Sequence, residues 1–334
     1  MKNDLQAVEC VELKGLDDFT KRQIMALHGG FDLRAQWFST MRVKSNSLKT
    51  YERALAAFER YCAANAITRL DSLTPQMLYD FADNFLSEKS TSTRALYLQA
   101  ARRFIAFLHA NGFLQFNIAA NLKMQGSRQY TPKKDYLNAE SAANLIAAQN
   151  GGDLNALRNK AIIALMITGG LRVCEIHNAS LADFDNLHGE RVLYVLGKGR
   201  VEKSDYVKIA APVEKIINDY LQARVKSGEL LDDSSPLFAT HGNKFKSVLR
   251  ALSTRAISFI VKNAMRKNGI NSRRFTAHSL RHTAAVLSLK GGATLADTML
   301  FMRHKNISTT QIYSHSIELE KNDSARRIAA AVFA

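Results

Sequence analysis

A helical rhythm that breaks once constrains this chain more than any other feature. From Leu48 to Leu122 apolar residues recur at three- and four-residue spacing almost throughout, and the same rhythm returns in the second half. It is interrupted at RVLYVLGKGRVEKSDYVKI, Arg191–Ile209, where the β-rich runs Val192–Leu196 and Tyr206–Ile209 flank a Gly-Lys-Gly turn. That pattern predicts a β-hairpin inside an otherwise helical fold. The expected class is therefore mainly α with a small β-hairpin or sheet (α+β).

Three segments of the first half carry helix signals of their own. SLKTYERALAAFERYCAANAI puts Leu48, Tyr51, Leu55, Phe58 and Cys62 on one stripe behind Ser47 as N-cap. TPQMLYDFADNFLSEK offers Thr74 as N-cap and Pro75 at the first helical position. STSTRALYLQAARRFIAFLHANGF starts on a Ser/Thr cluster and ends at Gly112, with Leu96, Ala100, Phe104 and Phe107 apolar and Arg102 and Arg103 turned elsewhere. Together they predict a small all-α domain with a basic flank. MQGSRQYTPKK, Met124–Lys134, is polar, basic and punctuated by Gly126 and Pro132, so it reads as an interdomain linker. Beyond it, Asn138 caps a helix, and LRNKAIIALMITGG reads as a buried helix ending at Gly169–Gly170.

The chain has 46 Lys and Arg against 30 Asp and Glu, a net charge of +16. The excess is shared: residues 1–137 carry 19 basic and 13 acidic side chains, and residues 138–334 carry 27 and 17. Such a surplus favours a polyanionic partner, nucleic acid or an anionic membrane surface. The longest apolar run, Ala161–Ile167, is far too short to span a bilayer. Cys10, Cys62 and Cys174 stand alone, without a CxxC pair, so neither a disulfide framework nor a zinc site is expected. No signal-peptide core is present at the N-terminus. A soluble protein of the cytoplasm, with no membrane partner, is the expectation.

Within 36 residues, TAHSLRHTAAVL and MRHKNISTTQIYSH hold His278, Arg281, His304 and Tyr313. His278 and Arg281, three residues apart, share one helix face; His282 either joins that face or packs inward. Asn306 or Ser308 caps the helix carrying Tyr313. Arg172 follows the Gly-Gly pair that ends a buried helix. With a turn lysine, these residues form a set without carboxylates or metal ligands, suited to phosphoryl transfer without a metal. Guanidinium forks bind phosphate and neutralise charge on a pentacoordinate phosphorus. A phenol serves as covalent nucleophile, and a lysine or histidine supplies the leaving alkoxide's proton.

GGLRVCEI, LGKGR, HSLRHTAA and ISTTQIYSH, in that order, resemble the four catalytic segments of the tyrosine recombinase (phage integrase) family. The resemblance implies residues 1–40 as an N-terminal extension, 41–124 as a helical core-binding (SAM-like) DNA-binding domain, 125–136 as a basic linker and 137–334 as the catalytic domain with a C-terminal subunit-docking tail. The two domains would form a C-shaped clamp on DNA. Arg172 and Arg281 would hold the non-bridging oxygens of the scissile phosphate. Lys198, with Lys203 as its competitor, would protonate the 5′-oxygen leaving group. His278 would bond the phosphate or act as base toward Tyr313, and His304 would donate to a non-bridging oxygen. Tyr313 would form a 3′-phosphotyrosyl link. Core roles fall instead to Tyr194, Tyr206 and Tyr220, and the bland reading of Arg172 is a surface ion pair with Glu175.

The chain departs from the family at Arg303, where a glycine usually precedes the last histidine. There the side chain disturbs the placement of His304 or adds a phosphate contact. The resemblance implies a site-specific recombinase needing no cofactor or metal. It would act in integration or excision of a mobile element or in resolution of dimers, on double-stranded DNA with short inverted repeats. A homo-tetramer on two sites is implied, the apolar tail Ile328–Phe333 being exchanged between subunits. A type IB topoisomerase-like enzyme and a non-catalytic DNA-binding regulator are the alternatives. DNA affinity is predicted to fall about 10³- to 10⁵-fold between 50 and 200 mM salt, as for roughly six to ten neutralised phosphates. A flat salt titration by fluorescence anisotropy would contradict a basic clamp.

Overall fold

The computed structural model describes residues 33–43, 45–67, 69–122, 135–197, 202–241 and 250–333. Of the expected segments, most of the N-terminal extension, most of the linker, and Lys198 lie outside these. The chain divides into two compact units, Met1–Arg128 and Gln129–Ala334.

The first unit is helical: α1 (Leu33–Thr40), α2 (Ser45–Ala64), α3 (Pro75–Asp80), which runs on through a widened turn at Phe81–Phe85, and α4 (Thr91–Ala110). Helix α2 begins two residues before the expected cap Ser47. Thr74 and Ser90 cap α3 and α4 by accepting from the amides of Met77 and Thr93, each at 3.3 Å. Helix α4 buries Ala100 of the expected stripe but otherwise turns a neighbouring face inward. Leu98, Ala101, Ile105 and Leu108 are buried, whereas Leu96 is exposed and Phe104 and Phe107 are half-buried. Both stripes are apolar, so periodicity alone does not choose between them. Packing against the rest of the unit does, its core covering Leu98, Ala101, Ile105 and Leu108 fully and Phe104 only in part, where Trp37 meets it edge-on at 5.2 Å. Arg102 and Arg103 turn to the carbonyl of Ala119 and the Tyr51 hydroxyl.

The second unit holds α5 (Ala139–Ala147), α6 (Leu154–Thr168) and α7 (Val173–His177), then strands β1 (Phe184–Leu187), β2 (Glu190–Val195) and β3 (Asp205–Lys208). Six helices complete it: α8 (Ala211–Lys226), α9 (Thr254–Lys267), α10 (Ala277–Lys290), α11 (Leu295–Phe301), α12 (Ser308–Lys321) and α13 (Ser324–Phe333). Asn138 caps α5, accepting from the Ser141 amide at 2.7 Å. Helix α6 is the axis of this unit: Ala161–Ile167 are all buried, against α8 and α10. Each large aliphatic side chain hidden this way contributes about 1.5–3 kcal/mol.

The expected hairpin is the β2–β3 pair of a three-stranded antiparallel sheet ordered β1-β2-β3. Strand β1 was not anticipated. Its link to β2 is a two-residue turn at His188 (φ +52°) and Gly189 (φ +84°), with Leu187 opposite Glu190. Two left-handed residues match the twist of paired strands, and a His-Gly dipeptide signals this only weakly. The last helix, α13, buries no residue, and Ile328, Val332 and Phe333 are 64%, 68% and 87% exposed.

Gly170 fixes how closely the chain segments approach beside α6. Its φ is +58°, and a Cβ there would stand 2.8 Å from the Met302 sulfur. Gly170→Ala is expected to cost about 1–3 kcal/mol from backbone strain and overpacking. Urea unfolding followed by circular dichroism checks it, and an unchanged midpoint would show that the approach has slack.

Candidate active site

Two backbone turns face each other in the second unit. One runs from Gly169 through α7; the other is the 301–304 turn that ends α11. Glu175, 1% exposed, lies between them. Its position three residues after Arg172 lets the carboxylate reach back to the helix start, where Oε2 accepts from the Arg172 amide at 2.8 Å. Oε1 accepts from Arg172 Nη1 at 2.6 Å, and Oε2 also accepts from Arg303 Nη2 at 3.0 Å. Arg281 Nη1 approaches Oε2 only to 4.0 Å. Burial pushes the Glu175 carboxyl upward, but Arg303, Arg172 and Arg281 prevail and hold it below the ordinary carboxylate range.

The expected set thus lacked a member, because a buried carboxylate organises the arginines. The ion pair of Arg172 with Glu175 exists, but it is a buried hub and not a surface pair. Arg281 comes from α10 and is 1% exposed. Its fork spans the two turns, Nη1 donating to the Gly170 carbonyl and Nη2 to that of Met302. Burial, then Arg172 and Arg303, lower this guanidinium to about 9, which leaves it charged at neutral pH. Arg172 Nη2 donates to the Arg303 carbonyl at 3.3 Å.

Tyr313 projects from α12, whose start is tied by Asn306, its side chain accepting from the Ser308 amide at 3.0 Å. The phenol is 3% exposed and burial pushes it up to about 12, while Arg281 and Arg172 pull the other way. Its oxygen lies 2.5 Å from His282 Nδ1. Of the two placements open to His282, the inward one is taken, and the imidazole nearest the phenol is His282, not His278. His278 is solvent-exposed and meets the His282 ring edge-to-face at 4.5 Å. His304 stacks on Tyr313 at 6.4 Å, and its Nδ1 bonds the buried Thr310 hydroxyl at 2.9 Å. Burial, then neighbouring cationic groups, drive His282 down to about 3 and His304 to about 4; His278 is lowered by burial and then Arg281. All three imidazoles are therefore neutral at pH 7 and able to accept a proton.

Arg172, His278, Arg281, His304 and Tyr313 are thus gathered in one place. Lys198 lies outside the described residues, though Gly197 beside it lines a cleft of about 690 Å³ with Arg172, Asp205, His304 and Thr309. Its competitor Lys203 is committed elsewhere, its ammonium bonded to Asp183 and to the Asn178 carbonyl. A larger cleft of about 1080 Å³, lined by Asp135, Tyr136, Arg274 and Glu320, lies apart from these groups. Tyr220 is a core residue as expected, whereas Tyr206 is exposed and Tyr194 half-buried. Arg303 adopts φ +52°, a left-handed backbone that costs a side-chain-bearing residue about 1–2 kcal/mol and a glycine nothing. That strain explains why glycine suits the position. Among the described residues no cluster of His, Cys, Asp and Glu is arranged to hold a metal, and no helix is long and apolar enough to cross a membrane.

A mainly helical chain that gathers guanidinium forks, neutral imidazoles and a phenol beside one another has the makings of a phosphoryl-transfer enzyme, and comparison with known proteins gives the class. The chain belongs to the phage integrase family, which it matches over residues 135–320; residues 36–112 match the family's N-terminal SAM-like domain. It is a tyrosine recombinase, a DNA strand-exchange enzyme. It is 27% identical over 303 residues to tyrosine recombinase XerC of Caldanaerobacter subterraneus subsp. tengcongensis, covering 84% of this chain and 80% of that one. It is 26% identical to XerD of Listeria innocua, covering 84% and 91%. Its fold is similar to that of XerH site-specific recombinase bound to palindromic difH substrate, at TM-score 0.70 and 20% identity over 84% of this chain and 79% of that. A lambda integrase dimer bound to a COC′ core site superposes at TM-score 0.64 and 15% identity, over 93% and 85%.

The depressed imidazoles make stability depend on pH. Unfolded histidine binds a proton near pH 6.5, whereas folded His282 and His304 do so only near 3 and 4. The unfolded chain therefore holds more protons across that window, and stability falls as pH drops from about 6.5 toward 4. Thermal melts of wild type and His282→Phe should diverge there, wild type losing more. Parallel curves would show that His282 is not held neutral by the fold.

Proposed function

We propose that this chain cleaves and rejoins DNA at specific sites through Tyr313. The phenol oxygen attacks the scissile phosphorus, forming a 3′-phosphotyrosyl bond as the bond to the 5′-oxygen breaks. The phenol proton passes to an imidazole, His282 in the arrangement described, with His278 packed behind it. Arg172 and Arg281 hold the non-bridging oxygens, His304 donates to one of them, and Lys198 protonates the departing 5′-oxygen. Attack of a 5′-hydroxyl from another strand reverses these steps and completes exchange without loss of the ester's energy.

The observation that supports this reading most is the phenol of Tyr313, hydrogen-bonded to a neutral imidazole and within the field of the Arg281 and Arg172 guanidiniums. The two units would serve as core-binding and catalytic domains closing as a C-shaped clamp on the duplex, their basic surplus meeting its phosphates. Short inverted repeats are the proposed sites, in keeping with the palindromic substrate of the XerH neighbour. The uncovered apolar face of α13 supports a homo-tetramer on two sites, with tails exchanged between subunits. Integration and excision of a mobile element, or dimer resolution, are the reactions such an assembly would serve in the cytoplasm.

The test is capture of a covalent adduct on a nicked suicide substrate. Wild type should form it, and Tyr313→Phe should not, while keeping DNA affinity within about twofold, since the phenol acts in the transition state. Wild-type protein that binds DNA tightly yet yields no adduct would favour a non-catalytic regulator. Adduct with plasmid relaxation but no exchange between two sites would favour the topoisomerase-like reading.

A further inference from the structure

Arg303 occupies a backbone conformation that glycine would adopt without strain, yet its side chain is only 6% exposed and amply engaged. Nη1 donates to the Phe301 carbonyl at 2.7 Å. Nη2 donates to the Gly170 carbonyl at 3.1 Å and to Glu175 Oε2 at 3.0 Å. The Gly169 carbonyl stands 3.5 Å from both nitrogens. None of this resembles a surface arginine that reaches for phosphate. The guanidinium points back into the protein and fastens the 301–304 turn to the turn that follows α6.

The fastening is reciprocal. Arg303's own carbonyl accepts from Arg172, and the preceding carbonyl, of Met302, accepts from Arg281. Gly170's carbonyl receives both Arg281 and Arg303. Moreover, Arg303 shares Glu175 Oε2 with the Arg172 amide while the Arg172 guanidinium holds Oε1, and Arg281 stays 4.0 Å away. Without Arg303, Oε2 would keep only the Arg172 amide, and Arg281 would have a buried, under-compensated carboxylate within easy reach. A rotation of its fork onto that carboxylate would neutralise the charge a phosphate requires.

We propose that Arg303 is a positioning residue that locks the two turns together and, by claiming Glu175, keeps the Arg281 charge uncompensated by that carboxylate and available to the scissile phosphate. The proposal deepens the recombinase reading and rests on Arg172 and Arg281 as the phosphate ligands. Three variants test it: Arg303→Gly removes backbone strain and side chain together, Arg303→Met keeps the strain and loses the charge, and Arg303→Lys keeps charge without the fork.

Single-turnover cleavage of the suicide substrate should slow roughly 10- to 100-fold in the glycine and methionine variants, with DNA affinity held within about threefold. Lysine should recover part of the rate. Independently of activity, the Nε–Hε resonances of Arg281 and Arg172 in ¹⁵N-labelled protein should move in Arg303→Met as Arg281 turns toward Glu175. Cleavage by Arg303→Gly at the wild-type rate would overturn the proposal, as would losses of rate and affinity in equal proportion, which mark a direct phosphate contact. Unmoved arginine resonances would overturn it as well. Wild-type protein that forms no adduct would remove the recombinase reading, and the spectra would still decide whether Arg303 sets the arginines.

Discussion

One buried carboxylate holds the catalytic unit's centre in register. Glu175 is enclosed by Arg172, Arg281 and Arg303, so three positive charges converge on one negative charge with almost no water to separate them. Removing ions from water costs several kcal/mol each, and mutual attraction repays it only where geometry is tight and remaining donors are bonded. The backbone meets most of that condition here, leaving only Arg303 Nε buried without a partner among these guanidiniums. The Gly170 carbonyl accepts from both Arg281 and Arg303, and those of Phe301, Met302 and Arg303 accept from one guanidinium each. Close approach of the two turns, which Gly170 permits by lacking a Cβ, brings these carbonyls within reach.

The same arrangement leaves a positive surplus, and that surplus is chemically useful. A phosphodiester brings one negative charge, and the pentacoordinate species formed on attack carries two. A cluster with two unbalanced positive charges therefore gains more from the transition state than from the bound substrate, which is the condition for accelerating a reaction. Because the guanidiniums are fixed by protein carbonyls before DNA arrives, little reorganisation accompanies the reaction. The phenol has the opposite requirement. Burial makes Tyr313 a weak acid, so it stays protonated until an anion, the guanidiniums and a neutral imidazole act on it together.

Much of this was legible in the residues. The Gly169–Gly170 stop, the caps at Thr74 and Asn138 and the single β interruption follow from spacing and side-chain chemistry, and the resemblance to the family joined Arg172 to His278, Arg281, His304 and Tyr313. What was not legible depends on contacts distant in sequence. Glu175 looked like a surface partner because nothing local says that Arg281 and Arg303 will close over it from more than a hundred residues away. His282 had two faces open to it, and only the path of α12 decided that it meets Tyr313. The buried stripe of α4 was ambiguous for the same reason, since two apolar stripes competed and tertiary packing chose. Strand β1 was hidden by its Asp185–Asn186 centre, two residues that seldom sit in strands.

Arg303 shows how a departure from a family's pattern is absorbed. A side chain at a left-handed position strains the backbone, and a guanidinium buried beside two others suffers desolvation and repulsion. Either penalty alone would favour a smaller neutral residue. Both are met by one acceptor set, the Glu175 carboxylate and the carbonyls of Gly170 and Phe301, and that set also governs Arg172 and Arg281. The arginine cannot be exchanged without moving its neighbours, because each acceptor it uses is shared with, or adjacent to, one that a second guanidinium uses. A position that elsewhere asks only for the absence of a side chain has here become part of the charge network itself.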